Sequence, residues 1–292
     1  MDIKQIIEIN ATRINARYLP EVIFPPNIHC SDDYQTVLSG VQDILIVVPS
    51  AVFHANLVKL KPFLQSNQRL LWASKGLDTK KHQLLNEVVK EILGDKEMAV
   101  LSGPSFAKEV AMGLPTAINI ASENYNFAHD LLLRFQTKRF RVEITSDIIG
   151  VELGGAMKNV LAIAVGITEG LGFGANAKAA VITYGLSEMI ELGLVLGAKQ
   201  ETFLGLSGLG DLVLTCTDNQ SRNRRLGLAL GRGQTLEETK KLIGTTEGYD
   251  TAKNIFYLLE KYAIKAPFCE GVYRILYEKK SPPTLFKTLF NE

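Results

Sequence analysis

The run DILIVVPS, Asp43–Ser50, decides the fold. Ile44, Ile46, Val47 and Val48 are β-branched, and the apolar run is continuous rather than alternating before it stops at Pro49-Ser50. A strand buried on both faces reads this way, as in a parallel sheet. A helical pattern follows from Val52 to Leu64, then a second apolar strand at Leu70–Ala73. The alternation continues with a helix over Lys81–Leu93, strands at Met98–Leu101 and Thr116–Ala121, a helix over Phe127–Phe135 and a strand at Phe140–Ile144. Strands separated by helices of this size predict crossover units and a mostly parallel sheet of the α/β Rossmann type.

After Ser146 the pattern changes. Ile148–Gly170 is one long stretch with apolar residues at helical spacing, and Ala177–Val195, Arg222–Leu230, Leu236–Ile243, Glu247–Tyr262 and Glu270–Tyr277 repeat that spacing. The sequence therefore predicts two domains, α/β over residues 1–147 and all-α over 148–292. No Pro/Gly spacer separates them, so they should pack closely, with a ligand cleft between them.

Composition narrows the function. Lys and Arg number 32 and Asp and Glu 31, a net charge of +1, which excludes a global basic field for nucleic acid or an anionic membrane. Cys30, Cys216 and Cys269 are scattered, and so are the four histidines, His29, His54, His82 and His129. That distribution argues against a disulfide frame or a metal site and favours reduced thiols in a cytoplasm. No stretch reads as a signal peptide or as the ~18 apolar residues of a membrane span.

An open parallel sheet often binds a dinucleotide through G-x-G-x-x-G after its first strand. That fingerprint is not found. Gly170, Gly172 and Gly174 have the wrong spacing, as do Gly205, Gly208 and Gly210, and both sets read as helix terminators.

The polar half of LGDLVLTCTDNQSRNRRLG, Leu209–Gly227, carries a different signal. Ser221 reads as an N-cap, with Arg222 and Asn223 in the first helical turn. Free backbone N–H groups and the positive end of the dipole make such a turn an anion site. An arginine is misplaced there unless an anion is bound. Arg224 and Arg225 read as solvated or ion-paired. Lys158 lies inside the long apolar helix, one turn after Gly154-Gly155, and either meets a ligand there or snorkels to water. Lys75 follows a strand, where open sheets gather ligands, and is otherwise a surface lysine. Asp211 reads as a loop or cap aspartate, and Glu247 as a helix N-terminal acid.

Several segments in order, VVPSAVF (Val47–Phe53), WASKGL (Trp72–Leu77), LSGPSFAKEV (Leu101–Val110), GGAMKNVLA (Gly154–Ala162), the arginine-rich stretch and EGYDTAK (Glu247–Lys253), carry a resemblance. Together they resemble the bacterial NAD(P)-dependent glycerol-3-phosphate dehydrogenase family along nearly the whole chain. The resemblance implies a nicotinamide cofactor, NAD(P)H, hydride exchange with dihydroxyacetone phosphate to give sn-glycerol 3-phosphate for phospholipid synthesis, and a homodimer. It makes Lys158 the general acid/base and Asp211 its neighbour at the substrate. Ser221, Arg222 and Asn223 would hold the substrate phosphate, and Gly103 and Ser105 would touch the substrate as well. Lys75 and Arg222 would reach both substrate and cofactor. Pro49, Ser50, Phe53, Ala107, Thr245 and Glu247 would lie against the cofactor. Members open with a strand, a Gly-rich turn and a helix, and Met1 falls past that unit. The Gly-rich pyrophosphate site is thus expected to be absent and the Rossmann domain N-terminally incomplete. The alternative reading is a truncated, catalytically silent chain that keeps the phosphate pocket and an interaction surface.

Overall fold

The computed structural model describes residues 3–244 and 246–283. A helix α1 (Ile3–Thr12), an antiparallel hairpin of β1 (Ile14–Asn15) and β2 (Leu19–Ile23), and a short helix α2 (Tyr34–Leu38) come first. Asp33 caps α2 by accepting from the N–H groups of Gln35 and Thr36. None of these elements is among those expected; β1, β2 and α2 are too short for a period to show, whereas α1 carries Ile3, Ile6 and Ile7 at helical spacing.

The sheet follows the expected alternation: β3 (Asp43–Ile46), α3 (Ser50–Leu60), β4 (Arg69–Trp72), α4 (Leu85–Leu93), β5 (Met98–Ser102), α5 (Ala107–Ala111), β6 (Thr116–Ala121), α6 (Tyr125–Phe135) and β7 (Phe140–Thr145). Its order is β3-β4-β5-β6-β7, parallel except for the antiparallel β5–β6 pair. The exception has a local cause: α5 has only five residues, too few to recross the sheet as a full helix would. β3 also stops two residues earlier than its apolar run. Beyond Ile46 the Ser74 hydroxyl takes over, donating to the Val48 carbonyl at 2.5 Å and accepting from its N–H at 3.3 Å. The loops after β3 and β4 are thereby tied together at the carboxyl end of the sheet.

Both faces of the sheet are covered. Phe53 and Leu57 of α3 pack with Leu70, Trp72 and Val88 on one side, and Leu71, Ile118, Phe127 and Leu131 cluster on the other. Burying each such side chain contributes about 1.5–3 kcal/mol.

The second half is helical among the described residues: α7 (Ile148–Gly170), α8 (Gly174–Val195), α9 (Gln200–Leu204), α10 (Asp211–Thr217), α11 (Arg222–Gly231), α12 (Leu236–Ile243), α13 (Glu247–Tyr262) and α14 (Pro267–Tyr277). Contrary to expectation, one helix does reach the length and apolarity of a membrane span. It is α7, and 94% of its most apolar window is buried inside the protein, because the other helices wrap it on every side.

Glycines set the closest approach. Gly166 of α7 lies on the Arg224 carbonyl, and Gly227 of α11 on the Ile163 carbonyl, so a Cβ at either would overlap backbone. Gly170 and Gly231 meet one turn further on. Gly172 and Gly174 have φ of +78° and +82° and break the chain between α7 and α8, as read. Gly208 and Gly210 are not terminators. They belong to a π-helical turn, Leu206–Gly210, which leads into α10, and Gly208 presses on the Phe203 backbone.

Candidate active site

Three charged groups from three segments meet where the sheet joins the helices. Asp211, the first residue of α10, is fully buried. Its Oδ1 accepts from Lys158 Nζ at 2.5 Å and its Oδ2 from Lys75 Nζ at 2.7 Å. Lys158 comes from the middle of α7, and Lys75 from the loop after β4. Lys75 also donates to the Gly103 carbonyl at 3.0 Å. The π turn aims Asp211, and Asn119 of β6 holds that turn by accepting from the Ser207 N–H and hydroxyl. Burial, joined by the nearby Lys75 charge, pushes the Lys158 ammonium down to about 8, with Asp211 opposing the shift. Among the described residues, Lys75, Lys158 and Arg222 face only two carboxylates, Asp211 and Glu247. The buried cluster carries a surplus positive charge that an anion would satisfy.

These lysines border a cavity of about 450 Å³. Ser105 and Ala107 line one side of it, and Ser221, Arg222, Asn223 and Glu247 the other. Ser221 is the N-cap of α11, its hydroxyl accepting from the Arg224 N–H at 3.2 Å, so the first N–H groups of that helix open toward the cavity. Asn223 is more constrained than expected. Its amide donates to Asn159 Oδ1 at 2.9 Å and accepts from the Gly248 N–H at 3.1 Å, joining α11 to α7 and α13. Burial raises the Glu247 carboxyl above its ordinary range against the pull of Lys158, Lys75 and Arg222.

The structure thus brings Lys75, Gly103, Ser105, Ala107, Lys158, Asp211, Ser221, Arg222, Asn223 and Glu247 to one place. Pro49 and Ser50 stand beside it at the start of α3, where Ser50 packs against Gly76, the residue after Lys75. Phe53 does not face the cavity. It is fully buried, edge-on to Trp72 with ring centroids 5.8 Å apart, because its position on α3 points inward to the sheet. Thr245 lies outside the described residues. Arg224 is ion-paired, as one of its two readings had it, with Glu169 at 2.6 Å. Asn159 and Thr215 also line the cavity and were not anticipated, although Asn159 gives the same signal as Lys158, a polar residue in an apolar helix.

A phosphate-bearing cofactor suits these groups. The cavity wall is cationic, and it includes Thr246, whose buried hydroxyl has no hydrogen-bond partner among the described residues.

Comparison with known proteins bears on identity. Residues 147–287 match the sequence model described as NAD-dependent glycerol-3-phosphate dehydrogenase C-terminus, and residues 1–128 match its N-terminus counterpart. The glycerol-3-phosphate dehydrogenase [NAD(P)+] of Bartonella henselae is 50% identical over 95% of this chain and 83% of that protein. That of Tolumonas auensis is 49% identical over 96% of this chain and 85% of that protein. A crystal structure of glycerol-3-phosphate dehydrogenase from Coxiella burnetii superposes with a TM-score of 0.95 at 49% identity, covering 99% of this chain and 89% of that one. These matches correct one expectation. The N-terminus model matches residues 1–128, which gives the chain the family's NAD-binding domain, and neither the missing cofactor unit nor the silent remnant is supported. The chain belongs to the NAD(P)-dependent glycerol-3-phosphate dehydrogenase family.

Proposed function

We propose that this cavity exchanges a hydride between NAD(P)H and dihydroxyacetone phosphate, giving sn-glycerol 3-phosphate and running in reverse when the ratio of reactants demands it. The observation that carries the reading is the pair of lysines on one buried carboxylate beside a helix N-terminus that carries Arg222. Bound NAD(P)H supplies the hydride. The chain supplies orientation, a proton and recognition of the phosphate.

Lys158 acts as the acid. As the substrate carbonyl is reduced its oxygen gathers negative charge, and the Lys158 ammonium stabilises that charge and then donates its proton. A lysine brought down to about 8 is far better matched to this task near neutrality than an ordinary one. Asp211 fixes the direction of Nζ, and Lys75, on the other oxygen of that carboxylate, adds a second cation beside it. The phosphate rests on the N-terminal turn of α11, held by the backbone after Ser221, by Arg222 and by the Asn223 end of the turn. Gly103 and Ser105 bound the substrate from the sheet side.

Pro49, Ser50, Ala107, Arg222, Thr245, Glu247 and Lys75 would hold the cofactor along the carboxyl end of the sheet, where such ligands collect. Phe53 would act from beneath, by fixing α3 against Trp72. The two functional units divide at residue 147. The physiological product would be glycerol 3-phosphate for phospholipid synthesis, made in the cytoplasm by a homodimer.

The test compares dihydroxyacetone phosphate with dihydroxyacetone as acceptors of hydride from NADH. The reading expects efficient oxidation of NADH only with the phosphorylated acceptor. Equal efficiency with both would remove the phosphate turn from the account.

A further inference from the structure

The second arginine after the N-cap points away from the cavity. Arg224 is 6% exposed and turns back onto α7. Its Nη2 donates to both oxygens of Glu169, at 2.7 and 2.6 Å, and its Nη1 donates to Asn219 Oδ1 at 2.6 Å. Three parts of the molecule are joined by one guanidinium: the end of α7, the start of α11, and the turn just before Ser221.

Local helix chemistry explains neither charge. Arg224 stands in the first turn of α11, where the dipole repels a cation, and Glu169 in the last turn of α7, where it repels an anion. Each suits the other's helix. The pair therefore makes sense as a tie between helices. Helix contact alone does not require it, because the glycine crossing at Gly166 and Gly227 already brings the two backbones together. The bridge adds an arm that leaves the helices and grips the turn.

That turn matters because of what shares α7. Lys158 and Glu169 lie eleven residues apart on one helix, about 16 Å along a rigid rod. Fixing the turn to Glu169 fixes the anion-receiving N–H groups relative to the Lys158 ammonium. We propose that Arg224, Glu169 and Asn219 form a positioning bridge that holds the phosphate turn in register with Lys158. The inference rests on the reading of that turn as the phosphate site. These residues act through the turn and touch neither substrate nor cofactor. A substrate fixed at both its phosphate and its carbonyl oxygen needs the span between the two held constant, because small misplacements cost rate or affinity steeply.

The experiment measures KM for dihydroxyacetone phosphate, KM for NADH, kcat and Tm in Asn219→Ala, Glu169→Gln, Glu169→Ala and Arg222→Lys. Asn219 is exposed, so its truncation releases the turn without leaving a buried charge unpaired. Asn219→Ala should raise KM for dihydroxyacetone phosphate about fivefold, the weight of one ordinary hydrogen bond. It should leave kcat, KM for NADH and the slow turnover of unphosphorylated dihydroxyacetone within twofold, and Tm within about 3 °C. Glu169→Ala should raise KM further, and Glu169→Gln, which keeps an acceptor, should recover part of the loss. If Glu169→Ala fails to fold, Asn219→Ala still decides the matter. Arg222→Lys separates the two ideas. An unchanged KM there overturns the phosphate reading itself, whereas a raised KM there with no change in Asn219→Ala overturns the bridge alone.

Discussion

Lys158 and Lys75 place their ammonium groups on the two oxygens of one carboxylate, 2.5 and 2.7 Å from Asp211, one reaching in from α7 and the other from the sheet. Two cations on one buried anion make the site electrostatically incomplete without a ligand. Burial, joined by the Lys75 charge and opposed by Asp211, keeps Lys158 readier to give up its proton than a solvated lysine.

Removing that proton source should stop the chemistry. Lys158→Ala should lower kcat for reduction by about 100- to 10,000-fold while substrate still binds through the α11 turn. Retention of a tenth of the parent rate would end the assignment.

The same lysine predicts opposite pH profiles for the two directions. Its folded pKa is depressed to about 8, so the ammonium needed for reduction disappears as pH rises through about 8. The neutral amine needed for oxidation of glycerol 3-phosphate appears over the same interval. Rates of reduction should fall and of oxidation rise across that range, and parallel profiles would point to a different acid.

Arg222→Lys should not behave as a conservative change. A guanidinium binds two phosphate oxygens in parallel and an ammonium cannot. The loss of affinity for dihydroxyacetone phosphate should be about 1–3 kcal/mol by titration, the usual weight of hydrogen bonds to a charged group.

Buried Glu152 offers a test of how the sheet is joined to α7. Its carboxylate accepts from Trp72 Nε1 at 3.0 Å and from the Asn86 N–H at 3.2 Å, and burial pushes it up to about 8, aided by Glu87. With the folded pKa above the unfolded one, stability is greatest below the unfolded pKa of 4.5 and is lost as pH rises toward about 8. Glu152→Gln keeps the acceptor and cannot ionise. Its unfolding free energy should gain on the parent's as pH rises, by on the order of 1 kcal/mol per pH unit at most, read by denaturant titration. A constant difference at every pH would mean that Glu152 is ionised throughout.

Much of this was legible in the sequence, for identifiable reasons. Short apolar stretches between helical patterns marked β3 to β7, the β-branched run of β3 most clearly, and helical spacing marked α7 and α11 to α13. Lys158 and the Ser221 turn stood out because each breaks a local rule, a charge in an apolar helix and an arginine at a helix start. Asp211 did not stand out, since its role depends on a π turn shaped by Phe203 and Asn119 from distant segments. Phe53 misled in the other direction, as a motif position gives no sign of which way a ring on α3 turns. The glycine fingerprint is a poor guide as well, because one local motif says less about the NAD-binding domain than the match over residues 1–128. The sequence alone leaves Arg224 either solvated or ion-paired, and its 2.6 Å contact with Glu169 decides for the ion pair.

The most direct test of the central claim is steady-state oxidation of NADH and NADPH by the purified chain with dihydroxyacetone phosphate, beside Lys158→Ala at equal concentration and with its fold checked by circular dichroism. The account predicts saturable turnover that depends on dihydroxyacetone phosphate in the parent and falls at least about 100-fold in the variant. A folded parent that oxidises neither cofactor with this substrate, or a variant that matches the parent, would contradict it.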